Sequence, residues 1–493
     1  MATLLHRLSP PRTGHGRLPG RALSRGLFAA ALALAALTGA LDAWWGMLPA
    51  LSVLALLVAL PWAASDYRLA VHLAAVLLPL NASYLLPREL FGIAGLNPLN
   101  GAVLVATASL GATALLRPAL LRPRWPRPLL LYVAVFAAAT VHGATRVADI
   151  PPYFKVLEVI NFDAIPGYLI DSFLKPMLLV VTAWLLAVVV ANAARPARAL
   201  LPFFGVALVL PLLVIGHVVR SGASLAELAS TGARGFLSVI GMHANELGLL
   251  FNMVFALAFF CLFAAPRRWQ RLLFGGVAVV CAAAVALTFS RGAYVGLLLV
   301  LVCQLAGRRR VLPLLALLAL TAAAASLVPE AVTGRAATGL ASGDMEDISA
   351  GRIDGIWLPL LPDAVASPLF GQGVSAILWS DAARHQAMLP VGHTHSAYLG
   401  TLLDLGLLGV AAVAGFFIHM GQLFLRLARS APNPLWRGFF HGALTCIILL
   451  LVQGVTDDSF LPSRSQPFLW LSYGIGLGLL RRQQTWQGGP SWD

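Results

Sequence analysis

The chain has 493 residues, 59% of them apolar and only 11% charged, with a mean hydropathy of +0.83. Soluble domains carry about 25% charged residues, so a water-soluble globular fold is excluded and a polytopic membrane protein is expected. The formal charge of +14 does not point to nucleic acid, because the arginines punctuate short gaps between apolar runs instead of forming one patch.

Apolar runs fall near 27–42, 48–64, 69–87, 99–116, 128–142, 172–194, 199–219, 244–265, 272–289, 293–307, 311–328, 395–420, 438–456 and 467–480. They are continuous, whereas a β-barrel would alternate within segments of about ten residues. The expected fold is therefore all-α, a transmembrane helix bundle of 12–14 spans. Its divisions are a basic N-terminus at 1–26, bundle at 27–328, a long loop at 329–393, bundle again at 394–482, and a polar tail at 483–493. A second apolar run follows the first at once, which favours a retained first span over a cleaved signal peptide. Cys261, Cys281, Cys303 and Cys446 each sit alone in a separate run and read as small packing residues.

Starting inside, the alternate gaps and the N-terminus hold 23 of the 34 basic residues. Both termini are then cytoplasmic, and the segments 143–171, 220–243, 329–393 and 457–466 lie outside. Segment 143–171, rich in apolar residues, is expected to lie along the membrane surface. Arg220, Arg234, Arg291, Arg335, Arg352, Arg384 and Arg464 fall on the outer side, against the topology signal. Binding of an anion is the obvious reason for such a placement.

Four stretches carry candidate chemistry. In Leu287-Thr-Phe-Ser-Arg-Gly-Ala-Tyr294 the guanidinium of Arg291 has the hydroxyls of Ser290 and Thr288 beside it, which suits phosphate, and Gly292 allows a close backbone approach. The alternative is an interfacial arginine that snorkels. The long loop offers Gly351-Arg352 and an i, i+3, i+4, i+7, i+8 pattern at Ile353, Ile356, Trp357, Leu360 and Leu361, a docking helix that Pro359 and Pro362 would kink or shorten. Arg352 reads either as a phosphate ligand or as a salt-bridged part of a structural lid. His393-Thr-His395-Ser-Ala-Tyr398 feeds the next span. Imidazole titrates near neutral pH, so His395 is the candidate general base, with a packed structural histidine as the alternative. A metal centre is disfavoured, because no carboxylate or third histidine stands at suitable spacing.

The fourth stretch is Arg234 followed by Gly241-Met-His243-Ala-Asn245-Glu246-Leu-Gly248, where polar groups begin a helix. His243 is either a substrate contact or a cap. Asp457 and Asp458 read as a solvated turn rather than a cation site. Asp404, nine residues after His395, lies half a helical turn round and should not face it.

In order and spacing these residues resemble the O-antigen ligase and O-antigen polymerase family. The likeness covers Ser290-Arg291-Gly292, Gly351-Arg352, Trp357, Pro368-Leu-Phe-Gly-Gln-Gly373, the His395-to-Leu399 start of a span, Asp404-Leu-Gly-Leu-Leu-Gly409 and the stretch His243–Gly248. The resemblance implies a C-type glycosyltransferase of the bacterial inner membrane with its site facing the periplasm. It implies an undecaprenyl-pyrophosphate-linked glycan as donor, lipid A–core, another lipid-linked glycan or a protein hydroxyl as acceptor, membrane lipids as surroundings, and no cofactor or metal. His395, Arg291 and Arg352 would be catalytic, and Arg234, His243, Asn245, Ser290 and Tyr398 substrate-binding. The rival from another class is a flippase for a lipid-linked sugar. Polar residues concentrated at span ends, not spread through mid-span positions, favour the enzyme.

Overall fold

The computed structural model describes residues 66–89, 95, 97–121, 124–162, 164–222, 237, 240–306, 349, 351–457 and 459–485, together with Leu54. From residue 66 onward these belong to one compact unit. No strand occurs among the described residues. Eleven of the fourteen apolar runs appear as helices, and the runs at 27–42, 48–64 (Leu54 apart) and 311–328 lie outside the described residues.

In chain order the principal helices are α1 (Tyr67–Leu80), α2 (Pro98–Leu116), α3 (Arg127–Ala144), α4 (Ile165–Asn192), α5 (Pro196–Ser221), α6 (Ala244–Ala264), α7 (Arg268–Ala286), α8 (Arg291–Ala306), α9 (Leu358–Ala366), α10 (Ala397–Ser430), α11 (Pro434–Gln453) and α12 (Pro467–Thr485). Eight of them, α2 to α7, α10 and α11, are long and apolar enough to cross a membrane.

Helix α6 is apolar on every side, and a helix of that kind belongs in the middle of a bundle. It packs against α7, α8 and α11, and Leu247, Leu250, Phe251, Met253 and Leu257 are fully buried. Its one interior amide, Asn252, donates to the Ala293 carbonyl of α8 at 2.8 Å, so no unpaired N–H is carried in the apolar layer at that point. Small residues let α6 and α8 approach: a side chain on Gly248 would meet Ala293, and one on Gly296 would meet Asn252, each at 2.5 Å. This contact fixes where α8 begins, and hence where Arg291 sits.

Helix α10 is broken at Gly406, whose φ of 64° and ψ of −173° leave the helical region. A break inside an apolar helix exposes backbone groups that need partners. The loop segment Pro368–Gly373 supplies them. Leu407 and Leu408 N–H donate to the Pro368 and Leu369 carbonyls at 2.8 and 3.1 Å, while Gln372 and Gly373 N–H donate to the Leu403 and Asp404 carbonyls at 2.8 and 3.0 Å. Gly371 (φ 69°) sits so close that a Cβ would lie 2.5 Å from the Asp404 carbonyl. The two glycine-bearing motifs therefore exist for one another: one breaks the helix and the other plugs the break.

The described loop residues from 351 to 393 form a cap with its own apolar core. Ile356, Leu360, Ile377, Leu378 and Trp379 are buried together with Phe154 and Tyr168. Part of the 143–171 segment folds into the cap through Phe154, and the Tyr153 hydroxyl donates to the Ala383 carbonyl at 2.8 Å. The expected docking helix differs in detail. Residues Ile353–Trp357 form a π turn before α9, and Ile356 and Leu360 are buried while Leu361 is exposed. Pro359 falls in the first turn of α9, where its missing N–H costs nothing.

Candidate active site

One end of the bundle gathers the start of α6, the start of α8, the 351–352 corner, the 392–396 turn and the 454–466 loop. Each arrives for a local reason. His243 caps α6: its Nδ1 accepts from Asn245 N–H at 3.3 Å and Glu246 Oε2 accepts from His243 N–H at 2.9 Å, the reciprocal arrangement of a capping box. Glu246 is held in turn by Arg464 at 2.7 Å. A tight turn with Phe289 at φ 49° ends α7 and delivers Ser290 and Arg291 to the start of α8.

Asn245 is a bracket. Its Nδ2 donates to Asp457 Oδ2, its Oδ1 accepts from Ser290 Oγ at 2.8 Å, and its carbonyl accepts from Gln453 Nε2 at 3.0 Å. The hydroxyls expected to face phosphate are engaged inside the protein: Ser290 and Thr288 are both buried, and Thr288 Oγ1 donates to the Val285 carbonyl at 2.7 Å. Gly292 has open space, since an added Cβ would come no nearer than 3.9 Å to a neighbour, so close approach is not what requires glycine there. Tyr398 faces outward and ties α10 to α11, its hydroxyl donating to the Leu451 carbonyl at 3.0 Å.

The 392–396 turn is pinned from three sides. Thr394 Oγ1 donates to the Ser396 carbonyl at 2.7 Å, Trp357 Nε1 donates to the Thr394 carbonyl at 2.9 Å, and Ala397 N–H donates to the Gly454 carbonyl at 2.7 Å. Ser396 caps α10. Between these ties His395 is held at φ 50°. That left-handed conformation costs a non-glycine residue on the order of 1 kcal/mol and persists only where its surroundings impose it. The strain aims the imidazole inward: His395 Nδ1 lies 3.6 Å from Asp457 Oδ1, with side-chain exposures of 20% and 12%.

Asp457 is the residue the sequence reading passed over. It is not a solvated turn residue but a buried carboxylate at the centre of the cluster; Asp458 lies outside the described residues. The loop carrying Asp457 is well anchored, because Gln466 Nε2 donates to the Ser459 and Leu461 carbonyls at 2.6 and 3.2 Å and the Tyr132 hydroxyl donates to the Phe460 carbonyl at 2.8 Å. No spacing signal could have announced it, since its partners come from helices far away in the chain.

Arg352 reaches the same loop, its Nη1 donating to the Thr456 carbonyl at 2.7 Å. The His393 ring lies tilted against that of His395, with centroids 3.9 Å apart. Enclosure of His393 by protein, then the positive fields of His395, His243 and Arg352, hold its pKa down to about 4 against the opposing pull of Asp457. Its side chain is nonetheless open to solvent, because it lines a hollow. His243, Arg352, His393, His395 and Asp457 thus share one electrostatic neighbourhood. Arg291 adjoins it through Ser290, and Arg234 lies outside the described residues. The earlier objection to a metal, the lack of a third ligand at suitable spacing, is removed by Asp457. Beside the turn the hollow has a volume of about 350 Å³, lined among others by Phe136, Asp171, Ser375, His393, Thr401 and Asp404. Asp404 carries out a structural task as well, accepting from Ala376 N–H at 2.9 Å.

Comparison with known proteins bears on the same region. A search of curated proteins gave no match. A family model described as O-antigen ligase (Wzy_C) matches residues 276–414, less than a third of the chain. The matched stretch carries Arg291, Arg352 and His395, while Asn245 and Asp457 fall outside it. With eight apolar helices of membrane-spanning length among its described residues, the chain is a multi-pass membrane protein whose residues 276–414 match the O-antigen ligase family model.

Proposed function

We propose that this protein is a glycosyltransferase of the inner membrane. It moves a glycan from undecaprenyl pyrophosphate to an acceptor hydroxyl, on lipid A–core or on another glycan, at the periplasmic face. The observation that carries the reading is His395, held in a strained backbone conformation with its imidazole turned toward a buried carboxylate and with Arg352 beside it.

The residues divide the reaction as follows. Asp457, oriented by Asn245, favours the tautomer with the proton on His395 Nδ1. The separation of 3.6 Å is long for a hydrogen bond, as is common before substrate tightens a site. Nε2 then carries the lone pair and accepts the proton of the acceptor hydroxyl. The acceptor oxygen attacks the anomeric carbon, the bond to the diphosphate oxygen breaks on the opposite face, and the configuration inverts. Electrons from the broken bond pass to the pyrophosphate, whose charge Arg291 and Arg352 offset, with Arg234 as a further candidate. Guanidinium groups supply the positive charge, so the reading needs no metal ion. Ser290, Asn245 and His243 act as positioning residues, and the hollow beside the 392–396 turn, lined by His393, Thr394 and Ser396, has room and hydrogen-bonding groups for the acceptor sugar.

The test is transfer in proteoliposomes supplied with the lipid-linked donor. His395→Ala should lose at least about a hundredfold in product formation, the usual scale for a general base, while donor binding and folding persist. Full activity in that variant removes the base assignment, and movement of donor across the bilayer without a new glycosidic bond removes the enzyme reading.

A further inference from the structure

We propose that His393, His395 and Asp457 also form a binding site for a divalent transition-metal ion, Zn²⁺ above all, and that its occupancy stops transfer. The second half of this statement rests on the base reading above; the first half does not.

Each residue offers one ligand atom, and the three atoms lie within 4.8 Å of one another. A tetrahedral zinc with bonds of about 2.0–2.1 Å sets its ligands roughly 3.3–3.4 Å apart. The His395 Nδ1 to Asp457 Oδ1 edge, 3.6 Å, is already close to that figure and too long for a good hydrogen bond. His395 Nδ1 is enclosed and makes no hydrogen bond among the described residues, which is costly for a polar atom and is resolved by a metal on that nitrogen. His393 stands at the open side, and a shift of about 1 Å in its exposed ring closes the triangle.

The donor set selects the ion. Two imidazoles and a carboxylate suit Zn²⁺ and its neighbours, whereas Ca²⁺ and Mg²⁺ call for oxygen ligands. Asp457 is prepared as a ligand, because Asn245 holds Oδ2 and leaves Oδ1 facing His395; such outer partners orient metal ligands generally. Three protein ligands leave a fourth position for water. Arg352 works against the ion, since its guanidinium sits on the adjoining carbonyl of Thr456 and repels a cation.

The consequence for catalysis follows from the tautomer. A metal on Nδ1 forces the remaining N–H of His395 onto Nε2, so Nε2 has no lone pair for the acceptor's proton. Metal and base function exclude one another.

The experiment uses the full chain, purified in detergent and treated with chelator, then titrated with Co²⁺ while its visible d–d absorption is followed. The expected result is one Co²⁺ per chain, displaced by Zn²⁺. Binding should weaken at least tenfold in H393Q and in D457N, and should tighten in R352Q. Absence of a Co²⁺ spectrum in the wild-type protein, or equal affinity in wild type and H393Q, overturns the site. H393Q alters an exposed side chain and keeps the test valid should D457N fail to fold. Zn²⁺ should also inhibit transfer reversibly in wild-type proteoliposomes. Binding without inhibition overturns the inhibitory half and counts against His395 as base, whereas a base-active enzyme with no metal spectrum overturns the site alone.

Discussion

At the scale of single residues, the decisive contact is between an imidazole and a carboxylate that the sequence does not place together. Asp457→Asn keeps the hydrogen-bonding shape toward Asn245 yet removes the charge that, in the proposed mechanism, stabilises an imidazolium at His395. Transfer by D457N should fall by roughly ten- to a thousandfold, less than in H395A, with donor affinity unchanged. Equal losses in affinity and turnover would mean that Asp457 serves the fold rather than the proton. His393 makes a separate prediction. Its folded pKa of about 4 lies below the ordinary value of about 6.5, so the folded protein prefers it neutral. That preference adds stability in full above the ordinary pKa, and it is lost as pH falls from about 6.5 toward 4. The difference in thermal midpoint between wild type and H393Q should therefore shrink or invert as pH is lowered from 7.5 to 4.5. A difference that does not change with pH would show that His393 titrates normally.

At the scale of elements, the broken helix and its plug are the feature most exposed to a single methyl group. Gly406→Ala places a side chain at φ 64° and against the Leu369–Gly371 backbone, within 2.5 Å of the Gly371 nitrogen. Strain of this kind costs on the order of 1–3 kcal/mol, and the clash with backbone adds to it. G406A and G371A should lower the thermal midpoint in detergent and displace the cap that carries Arg352 and the 392–396 turn. Gly292→Ala, with open space around it, is the control and should fold normally; if it proves as damaging as G406A, the account of the plug is wrong. The helices themselves were legible because an apolar run long enough to span lipid leaves the backbone little choice. Eleven runs became helices near their expected bounds. What stayed hidden was every feature made by contact between distant segments. Glycine motifs at 368–373 and 406–409 were visible as motifs, but not as two halves of one joint. The 143–171 stretch showed its apolar content without showing that Phe154 would be buried in the cap. Arg352 stood out through its position against a topology rule and His395 through an imidazole at the start of a span, whereas Asn245, readable only as a substrate contact, proved to be the bracket for Asp457.

At the scale of the whole molecule, the cap and the active cluster occupy the same end of the bundle, so sidedness and function are one question. Beyond its break at Gly406, helix α10 continues from Leu407 to Ser430, roughly 36 Å at 1.5 Å per residue, against a hydrocarbon core about 30 Å thick. The helix starts at the histidine turn and ends at the short 431–433 connection, so those two segments are expected to emerge on opposite faces of the membrane. Gln386 on the cap and Pro432 in the connection are both exposed. In a background with the four native cysteines replaced by alanine, Q386C should react with a membrane-impermeant maleimide once the outer membrane alone is opened. P432C should react only after the inner membrane is breached. The arginine asymmetry favours this polarity, because Arg426, Arg429 and Arg437 flank the connection, and the proposed function, with its donor on a periplasmic lipid, requires it. The reverse labelling pattern would put the imidazole, the guanidinium groups and the carboxylate in the cytoplasm. No glycan displayed on the far side of the membrane could then reach them.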